Sequence, residues 1–114
     1  MYAIKNKVTL IGNLGNNPEI KTFDDNKKVA RLSLATNETY KNKQGEKVTE
    51  TTWHNVVAWG RLAEVSEKFL RKGAEICVEG KLVNKSWIDK DGNTRYSTEI
   101  QVNDIVLLSH QSAA

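Results

Sequence analysis

The sequence predicts an all-β domain carrying a single helix, and three observations lead there. Five short segments alternate apolar and polar residues with the period of a pleated strand: KVTLIGNL, VARLSLAT, TTWHNVVAW, ICVEGKL and RYSTEIQV. Only RLAEVSEKFLRK, residues 61–72, spaces its apolar residues as a helix does. A length of 114 residues suits one compact core and leaves no room for a separate catalytic module.

In chain order, Val8 and Leu10 share one face of the first strand, and Gly12 marks where a barrel strand would bend. The turn NNPEI follows. Between Val29 and Thr36, the residues Ala30, Leu32 and Leu34 point inward while Arg31 and Ser33 point outward. The polar stretch Lys41 to Lys47, which contains Gly45, is expected to be a mobile loop at the end of a long hairpin arm. In the next strand Trp53, Asn55, Val57 and Trp59 alternate with His54, Val56 and Ala58, so the indoles share the face away from the core.

Leu62, Val65, Ser66, Phe69 and Leu70 form the buried stripe of a helix over 61–72, with basic residues in its last turn and Gly73 as the stop. Beyond it Ile76, Val78 and Leu82 are expected inward, and Cys77, Glu79, Lys81, Val83, Lys85 and Trp87 outward. DKDGN (89–93) is a hairpin turn. The returning strand, Arg95 to Leu108, sets Tyr96, Thr98, Ile100 and Val102 against Arg95, Ser97, Glu99 and Gln101. Five strands with a helix between the third and fourth make a five-stranded Greek-key barrel, the OB-fold arrangement, over residues 1–108. Residues 109–114, including HQSAA, are expected to be a short frayed end.

Chemistry is limited by what the sequence lacks. A formal charge of +3 from 17 basic and 14 acidic residues favours polyanions only weakly, so the placement of charge has to decide. The single Cys77 forms no internal disulfide and lies far from His54 and His110, which argues against a metal site. Asp24, Asp25, Asp89 and Asp91 sit in turn clusters where carboxylates bond the local backbone. GNLG is a bend and turn, because no helix follows it to cradle a phosphate. With no nucleophile and base in a recognisable motif, a nuclease or other enzyme is not expected, nor is any cofactor. No segment reaches the roughly 20 apolar residues that span a bilayer, and no signal sequence is seen, so a soluble cytoplasmic protein is expected.

What remains is the outward face. Trp53, Trp59 and Trp87 supply flat π-surfaces, and Lys7, Lys41, Lys43, Arg61, Lys72, Lys81, Lys85 and Arg95 supply cations in the loops or on the same side of the strands. Unpaired bases stack on such rings and phosphates follow such cations, so the expected ligand is single-stranded nucleic acid. The competing reading, in which each indole covers the barrel or fills a subunit contact, suits one tryptophan better than three on a basic face. His54, on the inward parity, is expected to be a hydrogen-bonded structural residue.

Taken in order, KVTLIGNLGNNPEI, VARLSLATNETY, TTWHNVVAWGRLAEVSEKFLRKGAEICVEGKL and KSWIDKDGNTRYSTEI strongly resemble the bacterial-type single-stranded DNA-binding protein family, from about Ile4 to Leu108. The resemblance implies a homotetramer of OB folds that coats single-stranded DNA during replication, recombination and repair, without sequence preference and without cofactors. It matches Trp53, Trp59 and Trp87 to base-stacking positions and Tyr40 to a fourth. In the best-known members Tyr40 would be tryptophan and Trp59 phenylalanine. Lys7, Lys43, Arg61, Lys72 and Arg95 match basic positions near the DNA path, whereas Asn55 replaces a frequent arginine. His54 matches a histidine near the subunit interface. Members usually continue through a flexible linker to an acidic tip that recruits replication and repair proteins; the residues here stop at HQSAA, so either this form lacks that route or the chain has been shortened.

Overall fold

The computed structural model describes residues 5–23 and 26–108, so Asp24, Asp25 and the 109–114 segment with His110 lie outside the described residues. The strands are β1 (Val8–Leu14), β2 (Glu19–Thr22), β3 (Lys28–Lys41), β4 (Lys47–Trp59), β5 (Glu75–Ile88) and β6 (Thr94–Leu107), and the helix α1 (Arg61–Phe69) sits between β4 and β5. They form one sheet in the order β1-β5-β6-β4-β3-β2, and a further β1–β3 pairing closes five of them into a barrel. The neighbours β4 and β6 run parallel at Val56↔Ile100 and Val57↔Gln101, while the other pairs are antiparallel. A closed five-stranded antiparallel barrel with one parallel contact and one helix agrees with an OB fold.

The helix lies between the third and fourth strands of the barrel, β4 and β5, but it follows the fourth strand of the chain, because Glu19–Thr22, expected to end a turn, is itself a strand paired with Lys28–Arg31. EIKT keeps the strand period, with Ile20 half-buried among exposed neighbours, and the hairpin to β3 satisfies its backbone. The Lys41–Lys47 segment also differs from the mobile loop expected. The β3–β4 ladder runs unbroken to Lys41↔Lys47, and the tip is fastened by Asn42 Oδ1, which accepts the N–H groups of Gln44 (3.0 Å) and Glu46 (2.9 Å).

Closure depends on Gly12. There β1 is passing from β5 to β3, and a Cβ at this position would stand 2.2 Å from the Ala35 carbonyl oxygen. The strand continues through this glycine, which serves for close approach and does not break the element.

The core joins Leu32 and Leu34 of β3, Val56 and Ala58 of β4, Ile76 and Val78 of β5, and Ile100 and Val102 of β6, with Ala63 and Leu70 from the helix side. The helix is shorter than expected. It stops at Phe69 because Leu70 turns to extended backbone and buries its side chain under the barrel, leaving Phe69 exposed. Gly73, in the left-handed region at φ 89°, carries the chain onward, and its N–H donates to the Leu14 carbonyl at 2.8 Å. Ser66 is buried, and its hydroxyl donates to the Leu62 carbonyl at 2.8 Å.

Parity beyond the barrel no longer decides burial. Leu82 and Tyr96, expected inward, are exposed because β5 and β6 continue past the core as a free hairpin arm. Val57 and Glu99, expected outward, are buried on the outer face.

Candidate nucleic-acid interface

Ladder registers show which side chains share a face, because paired residues project to the same side. On β4 the outward residues are Trp53, Asn55, Val57 and Trp59, and their β3 partners are Ala35, Ser33, Arg31 and Val29. Across the parallel contact Val57 meets Gln101 of β6, which brings Glu99, Ser97 and Arg95 onto the same face. Their β5 partners are Lys81, Val83, Lys85 and Trp87. One continuous surface therefore carries all three tryptophans, at 59% (Trp53), 40% (Trp59) and 50% (Trp87) exposure, together with Lys81, Lys85 and Arg95. Indoles this open have a π-face available to a ligand.

The setting of each indole differs. Trp53 lies over Gly15, where an added Cβ would come within 2.4 Å of its ring, so a glycine is what lets the loop after β1 support the indole. Trp59 stacks on Phe23, with centroids 6.0 Å apart and planes 16° from parallel, and the Lys21 ammonium stands 5.3 Å over the Phe23 ring. Trp87 sits opposite Arg95 near the tip of the β5–β6 arm, where Arg95 Nε donates to Asp89 Oδ2 at 2.7 Å. That bond, with the backbone N–H groups of Asn93 and Asp91, holds the Asp89 carboxyl below its usual value. Between Trp53 and Trp59 the surface dips into a cleft of about 280 Å³ lined by Asn16, Arg31, Ser33, Asn55 and Glu99 among others.

Other expected site residues lie elsewhere. Tyr40 pairs with Val48, on the opposite side of the β3–β4 arm from Trp53, and its hydroxyl donates to Glu50 Oε1 at 2.9 Å. The Glu50 carboxylate raises the Tyr40 pKa, so the phenol stays protonated. Lys41 stands at the end of the arm with Lys43 in its tip. Lys7 approaches Glu79 at 3.6 Å beside the start of β1. Arg61 begins the helix beside Trp59, and the Lys72 N–H donates to Asn17 Oδ1 at 2.8 Å, which brings Lys72 to the loop that carries Gly15. His54 faces away from the tryptophans and shares a hydrogen bond between its Nε2 and Thr36 Oγ1 at 3.0 Å.

Sequence reasoning missed Phe23, Lys21, and the ion pair of Arg31 with Glu99. The alternation in EIKTF was the available signal for the first two, since it puts Lys21 and Phe23 on one side and Ile20 on the other. Among the described residues, no group of three or more His, Cys, Asp or Glu side chains could hold a metal ion, and no helix is long and apolar enough to cross a membrane.

The profile of the Single-strand binding protein family matches residues 5–108, nearly the whole chain. The chain belongs to the single-strand binding protein family. Among solved structures it is similar to a Plasmodium falciparum SSB in complex with ssDNA, with 34% identity and a TM-score of 0.81, covering 91% of this chain and 95% of that one. It is also similar to a deletion mutant of the single-stranded DNA binding protein from Thermus aquaticus, with 29% identity and a TM-score of 0.78. That match covers 93% of this chain and 51% of the other, so this chain spans about half of it. The family is one of binding proteins, not enzymes.

Proposed function

We propose that this protein binds and coats single-stranded DNA without sequence preference, as a binding protein and not an enzyme, during replication, recombination and repair. The observation that carries the reading is the single sheet face on which Trp53, Trp59 and Trp87 stand exposed with cations between and around them. Every base offers a π-face, so stacking tolerates any sequence, at roughly 1–3 kcal/mol per base before ordering costs. Lys81 and Arg95 on the face, Lys41 and Lys43 on the arm, and Lys7, Arg61 and Lys72 at its margins contact phosphates. Tyr40 acts from the reverse side of the arm, as a platform for a strand that wraps around it.

The binding unit is residues 1–108, acting in the cytoplasm at the nucleoid, and its assembly is a homotetramer. One feature supports self-association. Over Val8 to Gly12, β1 is paired on the β5 side alone among the described residues, and its outer face shows Ile11, in register with Cys77 and then Val106, as an apolar strip. His54, hydrogen-bonded to Thr36, takes a structural role.

Titration of intrinsic fluorescence with poly(dT) at two salt concentrations tests the reading. Deep tryptophan quenching at a definite stoichiometry, weaker at high salt, is expected. In a Trp53→Ala, Trp87→Ala variant affinity should fall by roughly 2–6 kcal/mol, two stacked bases' worth. Absence of quenching at low salt would assign the indoles to packing and reject the function.

A further inference from the structure

One arrangement on the tryptophan face is not explained by stacking or by phosphate binding. The Glu99 side chain is 9% exposed, and each of its oxygens meets a cation from a different strand. Arg31 Nη1 on β3 donates to Oε2 at 2.8 Å, and Lys85 Nζ on β5 approaches Oε1 at 3.2 Å. Burial by itself would push the carboxyl up, but the hydrogen bonds and charges of Arg31 and Lys85 more than offset it and bring it below its ordinary value, so Glu99 is ionised at neutral pH. The strand order puts β6 between β4 and β5, and along β6 Glu99 lies between the level of Trp59, beyond Val57↔Gln101, and Arg95, which pairs with Trp87. A nucleic acid laid from Trp59 to Trp87 crosses this carboxylate.

Removing a charge-paired cation from a buried partner is expensive, because the partner is left unpaired away from water. Arg31 and Lys85 are therefore engaged before any ligand arrives, and the three groups together offer one net positive charge where two cations stand. We propose that Glu99 is an internal competitor for the phosphates of the bound strand: it withholds Arg31 and Lys85 and sets both affinity and salt dependence below what the face would otherwise reach. The strand is then held mainly by its bases, and its phosphates exchange readily. The inference rests on the single-strand reading above.

The test is the slope of log affinity for oligo(dT) against log salt concentration. Glu99→Gln keeps the shape and releases both cations, so the slope should steepen by about 1, near the 0.7 per phosphate of single strands taken up to twice, with about tenfold tighter binding at low salt. Glu64→Gln makes the same change in net charge on an exposed position of α1 and should shift the slope by less than half as much. Arg31→Gln should leave the slope of the parent protein unchanged, yet lower it by about 0.7 when combined with Glu99→Gln. An unchanged slope in Glu99→Gln, an equal effect from Glu64→Gln, or a loss of about 0.7 from Arg31→Gln alone would each overturn the proposal. Thermal melts check folding. If Glu99→Gln does not fold, Glu99→Asp replaces it, since the shorter carboxylate spans one cation and the slope should then rise by about 0.7. A parent protein that binds no oligo(dT) would reject the single-strand function itself, a result distinct from binding with an unmoved slope.

Discussion

Trp53 and Gly15 show how a single missing side chain prepares a surface for stacking. The indole lies where any Cβ at residue 15 would intrude to 2.4 Å, so Gly15→Ala should tilt the ring off the face. Affinity for oligo(dT) should fall within the roughly 1–3 kcal/mol range of a lost stacking ring. The melting temperature should change little, because Trp53 is mostly outside the core. Equal losses in affinity and in melting temperature would show instead that the glycine serves the fold. Asp89 makes a different point at the same scale. Its folded-state pKa is lowered by Arg95 and by the turn's N–H groups, so its contribution to stability is fully present above the unfolded value and fades as pH falls below about 3.8 toward the folded one. Melts of the parent protein and Asp89→Asn between neutral pH and pH 2 should diverge above that window and converge below it. Individual residues were the most legible part of the sequence. The outward parity of all three tryptophans, and the inward parity of His54, followed from alternation alone.

At the scale of elements, β2 is the instructive one. It is four residues long, too short for its period to stand out beside the proline turn before it, and it forms because β3 offers an open edge. Its consequence is functional: β2 delivers Phe23 to the face of Trp59 and Lys21 over the Phe23 ring. Phe23 thereby enlarges the platform at that end of the face, and Phe23→Ala should weaken oligo(dT) binding by about 1 kcal/mol while reducing the quenching contributed by Trp59. Unchanged quenching and affinity would reduce Phe23 to a cover for the indole. The helix carries a related lesson. Its periodicity was visible, but its end was not, because Leu70 gains more by leaving the helix to fill the barrel floor than by extending it. The two hairpin arms likewise kept the alternation of strands after the core had ended, which is why Leu82 and Tyr96 carry an inward pattern without burial.

For the whole molecule, the apolar strip across β1, β5 and β6 is the feature a lone barrel leaves unexplained. Ile11 is 56% exposed in the middle of it, and the outer edge of β1 alongside is unpaired among the described residues. Ile11→Lys should shift sedimentation toward smaller species while each barrel stays folded, since the charge would be buried only in the assembly. A parent protein that sediments as a monomer at micromolar concentration would reject the tetramer.

The sequence by itself determined the class of fold, the side of the sheet on which the tryptophans stand, and the family, because alternation, turn residues and helix spacing are local properties of the chain. Only the tertiary structure decided that Tyr40 lies on the reverse of its arm relative to Trp53, that Phe23 joins Trp59, and that Glu99 is buried between Arg31 and Lys85. Each of these depends on registers between strands or on where the barrel closes. Residues 31, 85 and 99 meet only because β4 sets β3 one strand away from the β5–β6 hairpin and Arg31 reaches across it to Glu99, so no local pattern marks them. Along the chain Lys85 reads as a cation for DNA and Arg31 and Glu99 only as outward residues; in the fold the three are one ion-paired cluster with a single net positive charge.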